Sequence, residues 1–261
     1  MKIPADIERI LDKTVKCLPN TYYCKDMKFS KDDLARRTCK EVRCDAVALM
    51  PTYNTYTRGK PGYWHDNVGN VLEDLLSIKE HFLKDSLKKI IVVNDGSTDK
   101  TNEVLEELVR RESKTIDVIN IPENLGFNYA VLAGYEKALK NNPKIIVKMD
   151  SDGETPPIFI TELLDKMVKL DADHIHYGTP FSSEMSTGFF GFRATRSNII
   201  KDLLPFFKSL FIYPGSEVAG RSIDEVLTSV LTNPFSPYRI VNKEIKVYRI
   251  FEEDGETIRL A

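Results

Sequence analysis

Three carboxylates alternate along one short stretch, Asp150, Asp152 and Glu154, directly after the apolar run IIVKM at 145–149. Carboxylates this close repel one another unless a hard divalent cation neutralises them. Mg²⁺ or Mn²⁺ suits such an oxygen set and keeps positions open for phosphate or water. The same residues also make a good turn, because Asp-Ser-Asp-Gly is turn chemistry in its own right. NDGSTD at 94–99 supplies another acidic position. There Asp95-Gly96 turns the chain, residues 97–99 cap a following helix, and Asp95 is placed to accept from a nucleobase or ribose. Tyr53, just after Pro51, either stacks on a base or belongs to the core. No GxGxxG follows the first apolar run and no GxxxxGK[ST] occurs, which argues against dinucleotide dehydrogenases and P-loop enzymes.

The elements that must position these residues are legible as alternating strands and helices. Apolar runs at 46–50, 90–93, 116–121 and 145–149 read as strands, the first ended by Pro51. Helical stripes lie between them: Val68, Val71, Leu72, Leu75 and Leu76, then about 98–111, then 127–140. Short apolar strands alternating with helices mean a mostly parallel sheet covered on both faces. Past Pro157 we expect a helix at 158–169, strands at 173–177 and 188–193, helices near 196–210 and 222–232, and a strand near 245–251. In open α/β sheets ligands bind beyond the carboxyl ends of the strands. The clusters that fall there are PTYN at 51–54, NDGSTD at 94–99, PENLG at 122–126 and DSDGE at 150–154.

Composition narrows the rest. The chain has 261 residues, 42% hydrophobic and 29% charged, and a formal charge of −2, so no basic field is present to hold nucleic acid. No apolar run reaches the roughly 18 residues of a membrane span, and MKIPADIERI lacks the h-region of a signal peptide, so a cytoplasmic protein is expected. Residues 1–44 read as a helical extension, with one helix at 3–16 and another after Ser30, near-capped by Asp33. This segment holds 11 basic against 7 acidic residues and all four cysteines, Cys17, Cys24, Cys39 and Cys44. Their spacing is not the paired CxxC of a zinc ribbon, and it leaves free thiols, disulfides and a zinc site open.

Taken in order, ALMPTYN, IIVVNDGSTDKTNEVLEEL, PENLGFNYAVLAGYEKAL and IIVKMDSDGETPP resemble family 2 glycosyltransferases of the GT-A fold, with the nearest likeness to dolichol-phosphate mannose synthase-like members. The strong part covers about 46–157, the donor half, while 158–261 would form the acceptor half of the same domain. The resemblance implies a nucleotide-diphosphate sugar donor (UDP- or GDP-linked), a divalent Mn²⁺ or Mg²⁺ ion, and inversion at the anomeric carbon. By position, Pro51, Tyr53, Asn54, Asp95 and Gly126 would line the nucleoside pocket, and Asp150 would approach the ribose or metal. Asp152 would ligate the metal, and Glu154 stands where the mannose-synthase subgroup commonly has glutamine. Arg249 would help hold the diphosphate. Trp64, in the long insertion at 55–66, together with Phe190, Arg193 and Arg196, would face the acceptor.

An acceptor hydroxyl needs a base unless the acceptor is already an anion. SIDEVL at 222–227 offers Asp224 and Glu225, although Ser222 and Glu225 also spell a capping box. The acceptor stays open among polyprenyl phosphate, glycan, protein and small molecule, and peripheral membrane contact stays open with it. Two other readings compete with the transferase. A non-catalytic nucleotide-sugar-binding scaffold would have little reason to keep Asp95, Asp150, Asp152 and Glu154 together. A sugar-phosphate nucleotidyltransferase would want a glycine-rich basic loop after the first strand, which PTYNTYTRGKPG matches poorly.

Overall fold

A computed structural model describes residues 3–17, 30–56, 67–153, 155–178, 189–211, 222–242, 244–251 and 257–260. The side chains of residues 17, 178, 189, 190 and 251 lie outside that description. The first half alternates as the sequence predicts: β1 (Ala46–Thr52), α3 (Val68–Phe82), β2 (Leu87–Asp95), α4 (Thr101–Glu112), β3 (Ile116–Ile121), α5 (Phe127–Lys140) and β4 (Ile145–Lys148). Before them come α1 (Ala5–Cys17) and α2 (Lys31–Thr38), the latter capped by Ser30, whose hydroxyl accepts from the Asp33 N–H at 3.1 Å. After them come α6 (Phe159–Lys169), β5 (His174–Gly178), β6 (Phe189–Arg196), α7 (Ser197–Leu210) and α8 (Ile223–Thr232). The chain closes with α9 (Pro237–Val241), β7 (Val247–Phe251) and β8 (Thr257–Arg259). Of these, α9 and β8 have no counterpart in the sequence reading; five and three residues are too short to show a period.

Among the described residues the strands form one eight-stranded sheet in the order β3-β2-β1-β4-β6-β5-β7-β8. Only β6 and β8 run against the others. This is the mixed, mostly parallel α/β sheet with helices on both faces that the sequence predicts. Period-two alternation splits the core: Ala46, Ala48 and Met50 face α1, α2, α3, α4 and α6, while Val47 and Leu49 face α5, α7 and α8.

Pro51 does not end β1, as the sequence reading expected; the strand continues through it to Thr52. Pairing with β4 stops at Leu49 opposite Lys148, whereas pairing with β2 continues to Thr52. On the β4 side Pro51 therefore sits at a free edge, where a missing N–H forfeits no ladder bond.

The amino-terminal helices are built into the second layer. Ile7, Ile10 and Leu11 bury against α3, and Asp74 of α3, itself buried, accepts from Arg9 at 2.8 Å and Lys13 at 2.9 Å. Arg37 of α2 pairs with the buried Glu162 of α6 at 3.1 Å, and Tyr177 donates its hydroxyl to the same carboxylate at 2.8 Å. Cys39 and Cys44 are free thiols whose pKa values burial pushes up, that of Cys44 to about 11, so neither is a reactive thiolate. Cys17 and Cys24 lie outside the described side chains. No helix among the described residues is long and apolar enough to cross a membrane.

His174 and His176 are buried in β5 on the α8 side of the sheet. Burial first, and the Arg193 guanidinium beside them, hold both imidazoles well below the ordinary histidine range. The folded protein keeps them neutral, whereas the unfolded chain protonates them below about pH 6.5. Stability is therefore full above that pH and is lost as the pH falls through it. With two protons taken up on unfolding, the slope approaches about 2.7 kcal/mol per pH unit. Urea denaturation between pH 7.5 and 5 should show this slope, and His176→Gln should roughly halve it.

Candidate functional site

The carboxyl ends of β1, β2 and β4 open on a cavity of about 240 Å³. Its lining includes Pro51, Tyr53, Asp95, Phe127, Asp150 and Asp152, together with Thr52, Thr55, Asn124, Ala130 and Ser151. The four loop clusters read from sequence converge here. Asp95 fixes the floor: its two carboxylate oxygens accept from the N–H groups of Leu125 and Gly126, each at 2.9 Å. Gly126 adopts φ 94°, a conformation that favours glycine, so the backbone can present its N–H to that carboxylate. Asn54 does not line the cavity. Its side-chain oxygen accepts from the N–H of Thr98 at 2.7 Å and its own N–H donates to Ser97 at 2.9 Å, which staples the loop after β1 to the loop after β2.

Asp150 and Asp152 follow β4 on a turn in which Gly153 has φ 75°, so the turn reading and the ligand reading describe the same geometry. Glu154 lies outside the described residues, as do Trp64 and the insertion around it. Among the described residues no three His, Cys, Asp or Glu side chains gather into an all-protein metal cage. Two carboxylates open to one cavity instead fit a Mg²⁺-type ion, which commonly takes one or two carboxylates and completes its shell with substrate phosphates and water.

The residue missed in the sequence is Lys148. It lies on the α5 and α8 face of β4, with its side chain 1% exposed. Its ammonium lies 2.6 Å from Asp150 Oδ1 and 2.9 Å from Asp224 Oδ2, and 4.5 Å from the centre of the Phe127 ring. Burial pulls this ammonium down, but Asp150 and Asp224 outweigh that and hold its pKa above the ordinary lysine value. A lysine inside the run IIVKM was the available signal.

Arg193, expected at the acceptor, is enclosed beneath α8: it donates to the Asp224 carbonyl at 2.6 Å and to Thr228 at 3.2 Å, and its Nε is 3.4 Å from Asp224 Oδ1. It meets the site through Asp224 and stands opposite Lys148 in the β4–β6 register. Glu225 completes the capping box with Ser222, accepting the Ser222 N–H at 2.8 Å, so the two neighbouring acids have different employment. Arg196 is not brought to the site. It pairs opposite Ile145 at the other end of β4 and binds Asp171 at 2.8 Å. Arg249 stands level with His176, to which its Nε lies at 3.2 Å, three strands from β4 or about 14 Å at normal strand spacing. Phe190 lies in β6, outside the described side chains.

The sequence of residues 48–228 matches a family described as glycosyl transferase family 2. The chain belongs to that family. Polyprenol monophosphomannose synthase of Mycolicibacterium smegmatis is 34% identical over 76 residues, 29% of each chain. An uncharacterized protein of Methanocaldococcus jannaschii is 28% identical over 130 residues, 49% of each chain. The chain thus spans less than half the length of these curated relatives. Among solved structures, a mannosyltransferase from Pyrobaculum calidifontis in complex with GDP-Man and Mn²⁺ is 15% identical, with 76% of this chain and 58% of that one covered and a TM-score of 0.44.

In this family 2 glycosyltransferase the carboxylate cluster depends on one glycine. A Cβ at Gly191, on β6, would fall 2.2 Å from both Lys148 Nζ and Asp150 Oδ2. Gly191→Ala must push that ion pair apart inside the fold. It should lower stability by about 1–3 kcal/mol in urea titration, whereas an exposed substitution such as Lys169→Ala should change it by under about 0.5 kcal/mol.

Proposed function

We propose that the protein transfers a sugar from a nucleotide-diphosphate donor, UDP- or GDP-linked, with a divalent metal and inversion at the anomeric carbon. The observation that carries this reading is the cavity at the strand ends, which gathers Tyr53, Asp95, Asp150 and Asp152. Tyr53 and Pro51 contact the nucleoside, and Asp95 shapes the loop that closes over it. Asp150, Asp152 and Glu154 would hold Mn²⁺ or Mg²⁺, which supplies Lewis-acid stabilisation of the departing diphosphate. The acceptor oxygen attacks the anomeric carbon opposite the diphosphate oxygen. One C–O bond forms as the other breaks, and the nucleoside diphosphate leaves with the electron pair.

Polyprenyl phosphate is the acceptor proposed first, because the mycobacterial relative is named as a polyprenol monophosphomannose synthase. Such a phosphate is already an anion and attacks without a base. Asp224 agrees with that role, since its side chain is 6% exposed and its oxygens face Lys148 and Arg193. A second reading, with a hydroxyl acceptor, rests on Asp224 standing at the start of α8 beside the donor carboxylates; there Asp224 would take the proton.

Two experiments test these readings. UDP or GDP at about 100 times its dissociation constant should raise stability by about 2.7 kcal/mol with Mn²⁺ present, and Asp152→Ala should lose the Mn²⁺-dependent part. No binding of either nucleotide would overturn the transferase reading. Asp224→Asn then separates the acceptors in a turnover assay: a fall under about tenfold fits a phosphate, whereas loss of the base for a hydroxyl costs about 10²–10⁴-fold.

A further inference from the structure

Lys148 is a charge set into an apolar strand. Its neighbours in β4 are Ile145, Ile146 and Val147, all buried, so placing an ammonium there carries a desolvation cost. Its ammonium nevertheless lies between two carboxylates that belong to different parts of the site. Asp150, with its side chain 32% exposed, opens to the cavity, whereas Asp224 at 6% does not. Both contacts, at 2.6 and 2.9 Å, are ion pairs, so the ammonium is held by the two carboxylates at once. Retreat is closed elsewhere, because Phe127 covers the ammonium at 4.5 Å and Gly191 leaves only the room a missing Cβ provides.

A divalent cation at Asp150 and Asp152 competes with this ammonium directly. It needs the Asp150 oxygens and it repels a like charge a few ångströms away. The ammonium cannot escape to water, but Asp224 already stands beside it. We infer that Lys148 is a counter-ion shared between Asp150 and Asp224, and that a metal ion arriving at Asp150 transfers it to Asp224. The lysine is a positioning residue: it keeps Asp150 paired while the metal is absent and ties the condition of α8 to the loading of the donor side. Coupling of this kind is reciprocal, so a change at Asp224 must alter metal affinity although Asp224 is not a ligand. This inference rests on the metal site proposed above.

The test counts Mn²⁺ binding by the electron spin resonance of the free ion, with Mn²⁺ alone as probe and no turnover. Lys148→Met should bind Mn²⁺ roughly tenfold more tightly, as expected when one close ion pair stops competing. Asp224→Asn should bind it several-fold more weakly, because the ammonium then has Asp150 alone. In Lys148→Met/Asp224→Asn the effect of the asparagine should vanish and the affinity should match Lys148→Met. Lys148→Met leaves the buried Asp224 facing Arg193 at 3.4 Å without its closer cation and can fail to fold; the double variant removes both members of the pair and is the safer protein. If only the double variant folds with Asp224→Asn, it should still bind more tightly than wild type. Unchanged or weaker binding by Lys148→Met, or an asparagine effect that persists without the lysine, overturns the inference. Asp152→Ala, which should lose the ion, confirms that the counted Mn²⁺ is at this site. If wild type takes up no Mn²⁺ with or without UDP or GDP, the metal reading falls first and takes this inference with it.

Discussion

An ammonium enclosed between carboxylates obliges everything around it to remain close and balanced. Lys148 meets that condition with Asp150 on the cavity side and Asp224 on the helix side. The cluster continues through Arg193 to the first turns of α8, so the described residues set Asp150, Asp152 and Asp224 against Lys148 and Arg193. Three carboxylates against two cations leave one negative charge, carried at the open end of the cluster. The divalent ion and diphosphate proposed above would lie at that end. The remaining features follow from the same closeness. Gly191 has no side chain because the ion pair occupies the place a Cβ would take, and the ring of Phe127, which lines the cavity, lies against the ammonium.

The sheet and the donor cavity were legible because their signals are periodic or local. Strands of four to six apolar residues, helices with a clear stripe and acidic loops at the strand ends each write themselves into adjacent positions. Interactions across the sheet do not. Asp224 and Glu225 are neighbours in sequence, and only the fold separates one under Lys148 from the other in a capping box. Arg196 looked as suitable as Arg193, yet antiparallel pairing of β6 with β4 carries it to the opposite edge. Pro51 read as a stop because sequence does not reveal that β4 ends two residues earlier in the register. Lys148 was visible as a polar residue in an apolar run, but its partner is 76 residues away, as the numbers 148 and 224 show.

Buried polar groups here are concentrated where elements from distant parts of the chain must agree. Glu162 joins α6 to α2 and β5 through Arg37 and Tyr177, and Asp74 joins α3 to α1. Removing one member of such a pair strands a charge in the interior, which costs more than the pair contributes. These contacts therefore specify register and docking more than they add stability.

The placement of α1 and α2 also bears on the order in which the chain can settle during its synthesis. Arg37 leaves the ribosome 125 residues ahead of Glu162, its partner. At about 5–20 residues per second that interval is about 6–25 s. Through it α2 has no α6 to pack against, whereas α1 can already dock on α3, which is made well before Glu162. The face of α2 that meets α6 is thus covered late, and the growing chain carries it exposed through that interval.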